Sequence, residues 1–196
     1  MSITMKIMTG SAAEERLDAL ATLRLDIFRE YPYLYDGLRE DELKYLRLYV
    51  ETSDAFLIMV TDAEQVAGAA TGTPLCSENQ SLLKPFIGTY HPVNETFYVG
   101  ELLFYPAYRG RGLGLQLLAI VEEHVRTMGK YRYLTCATVA RPVSHSLRPE
   151  DYVPIDRFLS HTGFVKLSGI TTSFSWKEID GISREHPMQF WIKELN

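Results

Sequence analysis

The apolar positions of the chain follow two rhythms, and the change from one to the other marks its centre. From residue 97 to 105 nearly every side chain is apolar or aromatic, Gly100 and Glu101 excepted, as in a strand covered on both faces. Pro106 ends that run. From Leu113 onward Leu117, Leu118, Val121, Val125 and Met128 recur at helical spacing, while Gln116, Glu123, Arg126 and Thr127 fall on the opposite side. The spacing therefore predicts a buried strand, a tight turn, a loop and a long amphipathic helix.

The same reading extends along the rest of the chain. Residues 3–8 alternate as a first strand, and Ser11 with Glu14 three positions on forms a capping-box signature for a helix start. Leu17, Leu20, Leu23 and Ile27 give that helix its buried stripe, and it gives way before Pro32. A second helix is expected over 41–50, and strands over 55–60 and 66–73 pair across a turn at 62–65. The connection over 74–96 is long and holds a short helix at 81–86; a functional loop and a surface excursion explain it equally well. A strand at 131–139, a helix at 154–161 and two antiparallel strands at 171–179 and 188–195 complete the order.

Candidate chemistry concentrates between the central strand and the long helix, at Arg109-Gly110-Arg111-Gly112-Leu113-Gly114. Alternate glycines let a ligand approach the backbone, and the first N–H groups of the following helix lack intrahelical partners. The helix dipole and two arginines add positive charge, so the loop suits a phosphate or pyrophosphate. A Walker loop is excluded because no Gly-Lys-Ser/Thr closes it, and the dinucleotide fingerprint because Leu115 stands where its third glycine belongs.

A strand, a proline, a tyrosine and then Arg-Gly-x-Gly-x-Gly opening a helix resembles the acetyl-CoA motif of the GNAT superfamily of N-acetyltransferases. The order of elements is similar to the GNAT plan over nearly the whole chain, although only 97–130 carries a specific motif. The resemblance implies an α/β (α+β) fold: a central mixed, mostly antiparallel twisted sheet of about seven strands flanked by about four helices. It also implies that the strand after the long helix splays from the central one and opens a wedge for the pantetheine arm. Within it, the backbone of Leu102, Leu103 and Phe104 would bond that arm, and the backbone of Arg109, Gly110, Arg111, Gly112, Leu113 and Gly114 would hold the pyrophosphate. The Tyr-Pro-Tyr-Leu-Tyr-Asp-Gly loop at 31–37 and the Pro-Met-Gln-Phe-Trp run at 187–191 look like a recurring bacterial branch of the superfamily.

Composition narrows the partners. At 196 residues with 46% hydrophobic and 23% charged content, the chain suits a single globular domain over 1–196. A formal net charge of -5 argues against a nucleic-acid partner. With only Cys76 and Cys136, a disulfide framework and a zinc site are both disfavoured, and no metal is expected. No apolar run reaches the roughly eighteen residues of a membrane span, and 1–10 lacks a signal-peptide core, so a cytoplasmic protein without a membrane partner is expected. A homodimer is compatible with all of this.

The implied reaction is attack of an amine on an acetyl thioester, which needs a base for the ammonium proton and a donor for the leaving thiolate. Glu101 is the candidate base, since it is the acidic group of an apolar strand and burial would raise its pKa. The competing role is a structural ion pair with Arg132 or another cation. Many relatives carry a tyrosine four residues before the glycine of the closing Gly-Phe; this chain has Leu159 there, and Tyr152 is the candidate substitute. Candidate acceptor contacts are Tyr31, Tyr33 and Tyr35 on the aromatic loop, and Arg141, His145 and Arg148 on the proline-stiffened segment 140–154. His145 is also a reserve base, and the arginines would suit a carboxylate on the acceptor. The expected activity is acetyl transfer from acetyl-CoA to a primary amine of a small molecule; peptide or protein N-acetylation and a non-catalytic acyl-CoA sensor are the rivals.

Overall fold

A computed structural model of the chain describes residues 2–195. Seven strands form one sheet: β1 (Ile3–Met8), β2 (Phe56–Asp62), β3 (Gln65–Pro74), β4 (Thr96–Phe104), β5 (Tyr133–Val139), β6 (Val165–Lys177) and β7 (Ser183–Glu194). Their order is β1-β2-β3-β4-β5-β7-β6, so β4 lies at the centre. All neighbours are antiparallel except β4 and β5. The expected mixed, mostly antiparallel sheet is what the chain builds.

Seven α-helical segments accompany it among the described residues: α1 (Gly10–Glu14), α2 (Leu17–Phe28), α3 (Arg39–Leu46), α4 (Leu48–Glu51), α5 (Gln80–Leu83), α6 (Leu113–Thr127) and α7 (Asp156–His161). The count exceeds the four expected because two long helices are each broken and α5 is a single turn. The capping box at Ser11 does not form. Thr9 holds the N-cap position, the helix begins at Gly10, and no side chain caps it.

Each face of the sheet is covered by a layer that its pattern dictates. On one side Leu113, Leu117, Leu118, Val121 and Val125 of α6 bury against Phe56, Ile58, Phe97 and Val99, each side chain contributing about 1.5–3 kcal/mol. On the other, Leu20 and Leu23 of α2 with Leu46 and Tyr49 cover Leu57, Met59, Ala69 and Leu103. The long 75–95 connection is a packed cover: its Leu75, Leu82 and Phe86 join Tyr98, Phe190 and Ile192 in a third cluster.

Two irregularities in β4 position the site. The parallel pairing with β5 covers only Thr96↔Tyr133, Phe97↔Leu134 and Tyr98↔Thr135, after which the strands part. On its other edge the register with β3 slips, Thr71 facing Glu101 and Gly72 facing Val99, which leaves Gly100 as the extra residue of a bulge.

Candidate active site

The parted strands open into a cavity of about 560 Å³, lined by residues 99–104 of β4 and by Cys136 to Arg141 at the end of β5. Backbone groups point into it in alternation. The Tyr105 N–H donates to the Ala67 carbonyl at 3.0 Å, so in the regular ladder Leu103 also faces β3, and Leu102 and Phe104 face the open side. Of the three residues expected to pair with a ligand, Leu103 therefore has its backbone committed to the sheet. The Phe104 carbonyl is taken as well, accepting from Arg109 Nε at 2.8 Å, which leaves Leu102 and the Phe104 N–H to the cavity.

Arg109 lines the cavity, and beyond it the glycine loop, whose residues 110–114 are not part of the lining, turns into α6. Gly112 is the N-cap, at φ 77°, and no side chain caps the helix. A Cβ at Gly110 or Gly112 would meet no heavy atom within 4 Å, so space lies open before the first N–H groups of α6. The guanidinium of Arg109 is turned to Glu30 at 2.8 Å rather than towards this space, and Arg111 lies over the Tyr108 ring at 5.8 Å. Open amides, a helix N-terminus and an apolar wedge are the features an acyl-CoA needs, and the residues present fit that group.

Glu101 lines the cavity wall and is only 3% exposed, but it is not a lone carboxylate. One oxygen is ion-paired with Arg24 of α2, and the other accepts a hydrogen bond from the Thr71 hydroxyl. Arg24 bridges onward to the buried Glu42, whose other oxygen accepts from the Tyr35 hydroxyl at 2.9 Å. Arg132, the partner considered from sequence, instead pairs with Glu95 and Glu194. The sequence signal for Arg24 was weak: a single basic residue beside the buried stripe of α2, facing a strand far along the chain.

Around the mouth, Tyr31, Tyr33, Arg141, Arg148 and Tyr152 line the cavity, whereas Tyr35 and His145 do not. Tyr35 is occupied by Glu42, and His145 packs on the Tyr31 ring at 5.7 Å. Tyr31 meets Tyr152 edge-on at 4.7 Å, and Arg148 lies 5.0 Å over Tyr152. Burial raises the Tyr152 phenol, with Tyr31 adding to it and Arg148 opposing, so it holds its proton at neutral pH. Arg141 is a clamp: it donates to the carbonyls of Pro32 at 2.7 Å and Tyr33 at 2.9 Å and pairs with buried Glu178 at 2.5 Å.

That clamp closes a roof. The Asp36 N–H donates to the Lys177 carbonyl, the Ile179 N–H to that of Leu34, and Tyr35 bridges Glu178, so the 31–37 loop is stitched to the β6–β7 hairpin. Leu159, at the position of the missing tyrosine, is buried on α7 and lines the cavity with Phe158 and Phe164. Cys136, which sequence reading left without a role, stands where β5 departs; burial pushes its thiol up to about 12, so it stays protonated and non-nucleophilic. Among the described residues no group of side chains could hold a metal ion, and no helix is long and apolar enough to cross a membrane.

The model of the acetyltransferase (GNAT) family matches residues 18–147, from α2 through the wedge and the glycine loop into the segment after β5. The chain belongs to this family. No curated protein matches it. Among solved structures this GNAT chain shares its fold with the ribosomal-protein-alanine N-acetyltransferase of Brucella melitensis, at 18% identity over 100% of both chains and a TM-score of 0.63. Arabidopsis thaliana NAA60, solved with a bisubstrate analogue, gives 14%, 100% of both chains and 0.62. The yncA protein of Salmonella typhimurium, solved with its cofactor acetyl-CoA, gives 13% identity, 100% of this chain and 95% of the other, and 0.60.

Proposed function

We propose that the protein is an acetyl-CoA-dependent N-acetyltransferase that acetylates a primary amine of a small-molecule acceptor by direct transfer. The observation that carries this reading is the wedge itself: a cavity along the open edge of β4, reaching Arg109 at the start of the glycine loop and walled by a buried carboxylate. Acetyl-CoA, when bound, supplies the activated acetyl thioester.

The chain's own residues divide the remaining work. The amides of Gly110 to Gly114 hold the pyrophosphate, and Leu102 with the Phe104 N–H aligns the arm. Glu101 removes the ammonium proton, since an amine attacks only through its free electron pair, and Arg24 fixes the direction its carboxylate faces. Tyr152, protonated at neutral pH, returns a proton to the departing thiolate. Tyr31 and Tyr33 contact the acceptor, and Arg141 and Arg148 hold the rim around it.

The stitched roof favours a small acceptor over a peptide, which would need an open groove leading away from Glu101. The same reading expects a reducing, cytoplasmic setting, with both cysteines free. The test is release of coenzyme A from acetyl-CoA across a panel of polyamines, amino acids, aminoglycosides and short peptides, for the wild type and Glu101→Gln. Turnover with one amine class that Glu101→Gln removes, while acetyl-CoA affinity holds, supports the assignment. Acetyl-CoA binding without turnover on any acceptor moves the protein to the sensor class, which Leu159 in place of a tyrosine would suit.

A further inference from the structure

Each charged side chain that lines the cavity has an opposite charge beside it, with one exception among the described residues. Arg109 stands 2.8 Å from Glu30, Lys166 3.2 Å from Asp156 and Arg141 2.5 Å from Glu178. Glu101 is paired with Arg24, which bridges onward to Glu42, so that buried group holds one formal negative charge in excess. Arg148 lines the same cavity, half-buried, and no carboxylate of the described residues pairs with it. It is the one charge of the wall that the protein leaves uncompensated.

The segment that carries Arg148 is built to hold it in place. The Arg148 N–H donates to the His145 carbonyl at 3.0 Å, the His145 N–H to that of Pro142 at 3.1 Å, and the Tyr152 N–H to that of Pro149 at 3.2 Å. Pro149 further restricts the backbone of the residue before it. From this series of turns the guanidinium reaches over the Tyr152 ring at 5.0 Å, and that ring meets Tyr31 edge-on at 4.7 Å. Contact with a ring face uses the charge of a guanidinium and leaves its five N–H donors to other partners.

We propose that the acceptor is an amino acid, an amine whose own carboxylate is bound by the Arg148 guanidinium while its nitrogen faces Glu101. The inference rests on the acetyltransferase reading above. The cavity then presents opposite charges to the two ends of a zwitterion, an excess negative charge at Glu101 with Arg24 and Glu42 and a positive one at Arg148. The transfer itself is unchanged. The amine nitrogen loses a proton to Glu101 and bonds to the acetyl carbon, the C–S bond breaks with its electron pair on sulfur, and the thiolate takes a proton. The carboxylate takes no part in bond making and stays intact in the N-acetylated product.

A carboxylate suits this cation better than the other common anion does. Its two oxygens match the paired N–H donors of a guanidinium, and its single charge balances the single uncompensated one. A phosphate monoester brings nearly two charges, and the remaining cations of the wall already have partners. The same arrangement works against rival acceptors. A polyamine or aminoglycoside would set a further cation against Arg148, and a long peptide carries its carboxylate too far from its amine.

The experiment measures kcat/KM with acetyl-CoA for the common amino acids, β-alanine and γ-aminobutyrate, each beside the amine that lacks only its carboxylate. It is run on the wild type, Arg148→Gln and Arg148→Lys, with calorimetric binding of acetyl-CoA as the check that each variant is folded. The wild type should favour its best amino acid over the matching amine by about ten- to a hundredfold, the scale of a hydrogen-bonded charge pair. In Arg148→Gln that preference should fall to within about threefold, through a rise in acceptor KM rather than a loss of kcat. Arg148→Lys, which keeps the charge without the fork, should restore part of it. Amines that react as well as their amino acids in the wild type overturn the inference whatever the variants do, and so does a preference that survives in Arg148→Gln; both leave the acetyltransferase reading standing. A wild type that turns over no amine of any class overturns both.

Discussion

The Arg109 guanidinium stands 2.8 Å from the Glu30 carboxylate and donates from Nε to the Phe104 carbonyl, so the first residue of the glycine loop is tied both to the central strand and to the segment after α2. The pair is partly solvent-exposed, with both side chains near two-fifths accessible, and its own contribution to stability is below about 1 kcal/mol. Its larger effect is electrostatic, because Glu30 offsets positive charge beside the proposed pyrophosphate site. Glu30→Gln should therefore tighten acetyl-CoA binding by about two- to fivefold at low salt, and the gain should fade by about 0.5 M salt. Calorimetric titration at two ionic strengths checks this, and unchanged affinity at low salt would mean that Arg109 is too distant to matter.

Gly112 separates backbone strain from ligand space. At φ 77° any L side chain is disfavoured, by about 1–2 kcal/mol, yet nothing in the protein obstructs a Cβ there. Gly112→Ala should lower stability by about that amount and weaken acetyl-CoA binding only modestly. Gly112→Glu carries the same strain but extends a carboxylate in front of the α6 N-terminus, where it would repel a pyrophosphate and occupy its place. Binding should fall by about a hundredfold or more relative to the alanine variant. If the two variants bind equally well, the pyrophosphate lies elsewhere.

The contrast between this loop and its surroundings explains what could be read from the sequence. The strand, loop and α6 are local: a period of 3.6, a proline stop and alternate glycines act within some thirty residues, and the structure keeps them within a residue or two of the expected bounds. The seven strands were legible for the same reason, though β6 begins before the expected 171–179 because Val165 and Lys166 pair with β7 across a bulge, and β7 begins before the expected 188–195 because its pairing continues to the exposed hairpin turn. Side-chain partners were not legible. Arg24 reaches Glu101 only because α2 packs across β4, and nothing in either local pattern marks that crossing. Tyr35 reads like Tyr31 and Tyr33 in the same aromatic loop, but its hydroxyl is committed to Glu42. Leu103 turns its backbone groups to β3 rather than to the wedge, a consequence of register rather than of composition.

Arg141 gives a prediction that separates the two halves of the cavity. Its guanidinium holds the Pro32 and Tyr33 carbonyls and the buried Glu178, so it braces the acceptor side and touches nothing of the glycine loop. Arg141→Met keeps most of the apolar stem but leaves Glu178 with Arg184 as its cationic neighbour and His186, which burial holds towards its neutral form, beside it. The expected result is a loss of about 3 kcal/mol in stability, the scale for breaking a buried pair, and a rise in acceptor KM of about tenfold with acetyl-CoA KM unchanged. Steady-state kinetics with each substrate varied in turn decides it; a parallel rise in both KM values would mean that the roof and the cofactor loop move as one body.

Glu78 makes the stability of the whole chain depend on pH in an unusual sense. A carboxylate that gains a partner on folding loses pKa, and its stabilising effect is lost in acid. Glu78 is shifted the other way, from 4.5 in the unfolded chain to about 7 in the fold, chiefly by burial. Between those two values the folded state binds more protons than the unfolded one, so its contribution is fully present below about pH 4.5 and is lost as pH rises through about 7. A shift of that size corresponds to about 3 kcal/mol at most, and the flanking Arg24 limits it. Glu78→Gln removes the titration and keeps the shape. Urea denaturation at pH 5 and pH 8 should therefore show the variant gaining stability relative to the wild type by up to about 2.5 kcal/mol over that interval, with nearly all of the change complete by about pH 7. A difference that is flat in pH would mean that Glu78 is charged throughout, held by Arg24 strongly enough to offset its burial.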